Sequence, residues 1–72
     1  MSPARSFPVP WTFEDHNNAC FIVKDANGAN VAYVYYEEER GRRTDANLMT
    51  KDEARRIAAN IVKLPELLAK PQ

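Results

Sequence analysis

The sequence predicts a small α+β domain: a short antiparallel sheet of two to three strands followed by one amphipathic helix, in the order ββ(β)α. Three observations predict it. Two runs rich in β-branched and aromatic residues, Ala19 to Lys24 and Val31 to Tyr36, flank Asp25-Ala26-Asn27-Gly28, which is the pattern of a β-hairpin. Thr50-Lys51-Asp52-Glu53 has the form of a helix-starting capping box. From Ala54 to Leu64 the apolar residues Ala54, Ile57, Ala58, Ile61, Val62 and Leu64 recur at helical spacing.

Met1 to Pro10 contains Pro3, Pro8 and Pro10. Proline fixes φ and lacks an amide donor, so residues 1–10 read as an extended or disordered arm. A single domain follows over 11–68, with a frayed tail at 69–72. Trp11, Thr12 and Phe13 have strand composition, and Glu14 to Asn18 read as a polar turn. In the main hairpin, a type I′ turn needs positive φ at both central residues. With Asn27 and Gly28 in those places, Ile22 lies opposite Tyr33 and Phe21 opposite Val34.

That register sorts the side chains onto two faces. Phe21, Val23, Ala32, Val34 and Tyr36 share one. Cys20, Ile22, Val31, Tyr33 and Tyr35 share the other, with Lys24 at its edge. Both are apolar, whereas a sheet with one wet face alternates apolar and polar residues. Residues 40–49 read as a charged connection. The helix is expected from Lys51 to about Leu64. Asp52 and Arg56 are spaced to pair, and Pro65 either ends the helix or begins a new turn.

One helix covers one face, and the purer set around Phe21 is assigned to it. The second face, with Ile22, Val31, Tyr33 and Tyr35, is then the candidate dimer face. A chain of 72 residues is small for a self-sufficient core. Its single cysteine, Cys20, excludes an internal disulfide, and one cysteine with one histidine is too few ligands for a structural zinc site. A second copy is the remaining support. A homodimer is therefore expected through this face or the sheet edges, with exchange of the C-terminal helix as one route; the alternative is that the N-terminal arm and the C-terminal tail cover the second face within one chain.

Ten basic and ten acidic residues cancel, which argues against a dedicated nucleic-acid or membrane-surface protein. No apolar run approaches the length of a membrane span, about 20 residues. The N-terminus has no apolar core of a secretory signal, and a free cysteine fits the cytoplasm. No catalytic, cofactor-binding or metal site is expected. His16 and Cys20 are single residues with no oxyanion donors around them, and a lone cysteine behaves as a small hydrophobe. Glu14-Asp15-His16 and Glu37-Glu38-Glu39 are runs of neighbours, which in extended chain point apart and do not converge on an ion. They read as charged surface.

Pro10-Trp11-Thr12, Cys20-Phe21-Ile22-Val23, Asp25-Ala26-Asn27-Gly28, Tyr33-Val34-Tyr35, Asp52-Glu53-Ala54-Arg55-Arg56-Ile57-Ala58 and Leu64-Pro65-Glu66-Leu67-Leu68 form a pattern over about residues 10–68. It resembles a family of small alphaproteobacterial proteins of unknown function. That resemblance implies a shared fold and no activity. A second likeness covers about residues 31–62. Tyr33-Val34-Tyr35-Tyr36, Gly41-Arg42-Arg43 and Thr50-Lys51-Asp52-Glu53-Ala54-Arg55 are similar to the N-terminal DNA-binding domain of phage-type tyrosine recombinases, a three-stranded sheet followed by a helix. It implies nucleic-acid contacts through Arg40, Arg42, Arg43 and Arg55. The chain departs from that pattern in lacking Leu-Gly before the helix and in carrying Glu37, Glu38 and Glu39. The favoured expectation is thus a non-enzymatic interaction or accessory domain, with DNA binding as the alternative.

Overall fold

The structure, a computed structural model, describes residues 7–69. Most of the expected arm lies outside them. So does the expected tail, apart from Ala69. The chain forms β1 (Thr12–His16), β2 (Cys20–Lys24), β3 (Asn30–Tyr35), α1 (Arg40–Ala46), α2 (Lys51–Val62) and α3 (Leu64–Ala69). The strands make one antiparallel sheet in the order β1-β2-β3. The α+β class and the sheet-then-helix order are as the sequence predicts.

The first strand is longer than its composition suggests. Glu14, Asp15 and His16 pair with Ile22, Phe21 and Cys20. They were expected in a turn. An apolar partner strand with open hydrogen-bonding groups outweighs their weak β-propensity. The reversal falls instead at Asn17 and Asn18, which take φ of 54° and 52°, and Ala19 N–H donates to the His16 carbonyl at 3.0 Å. Asparagine tolerates the left-handed region better than most residues.

Ile22 does pair with Tyr33, and Phe21 with Val34, but the turn between them is not the expected one. Only Gly28 is left-handed there, at φ 87°. Gly28 N–H donates to the Asp25 carbonyl and Asp25 N–H to the Ala29 carbonyl, both at 3.0 Å. The loop is therefore Ala26-Asn27-Gly28, three residues with the glycine in the left-handed place. Three residues instead of two shift the pairing by one. The bulge beside Val23/Lys24 shifts it back, since Lys24 pairs with Asn30 while Val23 pairs with Ala32. Val31 is the extra residue. A bulge breaks the alternation of sides, and Val31 and Ala32 both pack against the helix-side core.

That core is Phe21, Val23, Val34 and Tyr36 from the sheet with Ala54 and Ala58 from α2. The two alanines are fully buried, so the helix backbone comes close to β2. Phe21 is the centre of an aromatic row. It meets Phe13 edge-on at 5.8 Å and Tyr36 at 5.4 Å. The predicted helix stripe is narrower than its periodicity suggests. Ile57 and Leu64 lie at its margins, partly exposed, because the line of closest approach follows Ala54 and Ala58.

The capping box closes both ways: Glu53 N–H donates to Thr50 Oγ1 at 3.1 Å, and Thr50 N–H to Glu53 Oε1 at 2.8 Å. The Thr50 N–H, and after it the Thr50 side chain, hold the Glu53 carboxyl below the usual range. Asp52 pairs with Arg56 at 2.7 Å and Arg55 at 2.9 Å. α2 stops at Val62, and Leu64-Pro65 opens α3. The charged connection contains a helix the sequence reading missed. α1 follows Glu37, Glu38 and Glu39, carries Arg43 in its last turn and ends on Asn47 at φ 57°. Acids before the first turn and a base in the last complement the helix dipole.

Candidate functional site

Among the described residues the helix packing lies on one side of the sheet, where α2 crosses β2 and reaches β1 and β3. The opposite face carries the residues predicted for it, with one change. Tyr33 and Tyr35 are about half exposed, at 50% and 53%. Their rings run nearly parallel, 13° apart in plane with centroids 6.3 Å apart. Asn30 Nδ2 donates to the Tyr33 hydroxyl at 2.8 Å, which orients that ring. Ile22 is 5% exposed. Its register neighbours are Glu14 on β1 and Tyr33 on β3, and longer side chains on flanking strands cover a central one. Cys20 is buried in the same way between His16 and Tyr35. Val31 leaves the set for the core side. What reaches solvent is a pair of tyrosines with an apolar floor beneath them. A salt bridge between Lys24 and Glu14 at 3.2 Å borders them.

His16 and Cys20 are cross-strand neighbours. Among the described residues no hydrogen bond joins the sulfur to the ring, and His16 Nε2 instead meets Asn17 Nδ2 at 3.1 Å. Among the described residues no three His, Cys, Asp or Glu side chains gather where an ion could be held. No helix among them is long and apolar enough to cross a membrane.

The arginines proposed for nucleic acid are close to acids and carbonyls. Arg42 lies 3.5 Å from both Glu37 and Glu39. Arg43 donates to the Glu37 and Glu38 carbonyls at 3.0 and 3.1 Å, bracing α1 against the end of the sheet. Arg55 pairs with Asp52. Arg40 sits exposed at the start of α1.

One polar cluster lies at the edge of the core. The Tyr36 hydroxyl donates to Asp15 Oδ1 at 2.7 Å, and Lys51 Nζ stands 3.4 Å from Asp15 Oδ2. The Lys51 ammonium is 5.8 Å from the Tyr36 ring centre. This joins β1, the end of β3 and the first turn of α2, so it is a structural clamp. Burial, and then the bond to Asp15, push the Tyr36 phenol up to about 12 from an ordinary 10.0. The same bond, with help from Lys51, holds the Asp15 carboxyl below its ordinary 3.8. Sequence reasoning missed the clamp because Asp15 was assigned to a turn.

The sign follows from linkage. Tyr36 is protonated in the fold over a range where it is ionised in the unfolded chain. Its contribution is complete below pH 10 and is lost as pH rises toward 12. Asp15 contributes above its unfolded value and loses that contribution as pH falls through its lowered folded value. The stability difference between wild type and Tyr36→Phe, measured by urea titration at fixed protein concentration, is therefore expected to shrink between pH 10 and 12. A difference that stays constant across that window would show that the fold does not hold the proton on Tyr36.

No family model matches this chain, and neither a curated protein nor a solved structure is significantly similar to it.

Proposed function

We propose that this domain acts by binding rather than catalysis, and that its tyrosine-bearing sheet face meets a second copy of the chain. The observation that carries this reading is the parallel Tyr33–Tyr35 pair, half exposed on the face without a helix. Tyrosines give large contact area with a polar tip that tolerates water, and they are enriched where proteins meet. The small core supports a second copy as the partner, because association adds the buried area that a short chain lacks. A cytoplasmic location belongs to the same proposal and rests on the unpaired Cys20.

Duplex DNA is the alternative occupant. Arg42, Arg43 and Arg55 already face acids and carbonyls, which leaves a weakened field for phosphate. Light scattering after size exclusion, across a range of concentrations, tests the main reading. Wild type is expected at twice the chain mass, and Tyr33→Asp with Tyr35→Asp at the chain mass with its circular dichroism unchanged. A variant that remains dimeric removes this face from the interface. A salt-sensitive gel shift without self-association would favour DNA.

A further inference from the structure

Among the described residues the sheet has two edges with no further strand beside them, β1 and β3, and they are unlike. β1 reads Thr-Phe-Glu-Asp-His. Three successive polar or charged residues guard it, and β1 laid against a copy of itself would bring acids together. β3 reads Asn-Val-Ala-Tyr-Val-Tyr, six residues with no charge and no proline. Proteins blunt free edges with lysine, proline or acids, and an edge with none of these is a template for another strand.

The hydrogen-bond directions show which groups are open. Tyr36 N–H donates inward to the Ala19 carbonyl at 3.1 Å. Alternate residues of a strand share that direction, so Val34 and Ala32 face β2. The main-chain groups of Tyr33 and Tyr35 then face outward. Glu37 N–H, in the same outward phase, donates to the Met49 carbonyl at 2.9 Å, and Met49 closes the edge beside Tyr36. α1 packs against no strand. The open length is therefore centred on Ala32 and Tyr33.

We infer that β3 pairs antiparallel with β3 of a second copy, so that two three-stranded sheets become one of six. This rests on the self-association reading above and puts the seam along the strand edge that bounds the tyrosine face, with Tyr33 meeting its copy across that edge. The occupant is a second copy for three reasons on the strand itself. An uncharged strand meets its own copy without repulsion. Antiparallel pairing about a two-fold axis is closed after two chains, whereas β3 against the acid-bearing β1 would leave free edges and grow into a filament. The pairing also brings Tyr33 of both copies side by side on the helix-free face, joining two tyrosine pairs into one aromatic strip.

Residue-resolved amide hydrogen exchange on the wild-type chain, at concentrations above and below dissociation, tests this. The Tyr33 amide is expected to exchange at least about ten-fold more slowly in the dimer than in the monomer. The Tyr36 amide, bonded within the chain, serves as the reference for both. A dimer whose Tyr33 amide exchanges as fast as the monomer's would overturn edge pairing and leave self-association through the tyrosine rings standing. A chain that is monomeric at every concentration overturns both.

Discussion

Phe21→Ala is expected to cost about 3–5 kcal/mol, the loss typical of truncating a buried aromatic residue to a methyl group. Phe21 is 4% exposed, and it stands between Phe13 and Tyr36 in the aromatic row. Its removal deletes both ring contacts and opens a void between the sheet and the helix. That void cannot close easily, because the small side chains of Ala54 and Ala58 are already fully buried against the sheet. Domains are stable by roughly 0.05–0.15 kcal/mol per residue. The 72-residue chain thus holds on the order of 4–11 kcal/mol, and this substitution consumes much of it. Phe21→Leu keeps most of the volume and forfeits the two ring contacts, worth about 1–3 kcal/mol together. Urea denaturation at fixed protein concentration separates the two variants. A Phe21→Ala midpoint within about 1 kcal/mol of wild type would mean that the aromatic row is not the centre of the core.

The parts of this fold legible in the sequence are those written by period and by local chemistry. Alternation placed Phe21, Val23, Val34 and Tyr36 on one face, and the structure packs these four against α2. The capping box marked the start of α2, because two reciprocal hydrogen bonds need only four consecutive residues. What was not legible depends on partners distant in sequence. Glu14, Asp15 and His16 look like turn residues until β2 lies beside them. Ile57 belongs to the apolar stripe by spacing, yet two alanines on the same helix set the contact line and leave it exposed. Ile22 was expected on an open surface, and its cross-strand neighbours bury it. The tyrosines of the candidate site were legible, since nothing of comparable length stands opposite them. α1 could have been found from charge order alone: three glutamates, then arginines, then an asparagine that supplies the left-handed stop.

Asp25→Ala is the second large effect expected, about 2–3 kcal/mol, because this side chain rather than Asn27-Gly28 organises the main turn. Asp25 is 6% exposed, the one polar residue buried with the core among those described. Its Oδ1 accepts from the amides of Asn27 and Ala29, each at 2.9 Å. An aspartate bonding its own backbone two residues on is a standard turn-forming device. Here it reaches the fourth residue as well, so one oxygen spans the whole loop. Alanine keeps the strand conformation but leaves both amides without that acceptor, and Ala29 is only partly open to replacement water. The neighbouring tie, Ala26 N–H to the Pro8 carbonyl at 2.9 Å, depends on the same loop shape and should loosen with it. Asp25→Asn retains the oxygen and removes the buried charge. It is expected within about 1 kcal/mol of wild type, since charge assistance lost to the two amides is offset by the easier burial of a neutral group. Thermal unfolding of the three proteins distinguishes the two accounts of this turn. If Asp25→Asn falls as far as Asp25→Ala, the carboxylate charge matters more than the acceptor. If neither variant moves, the three-residue loop is held by Gly28 and the bulge at Val31 alone.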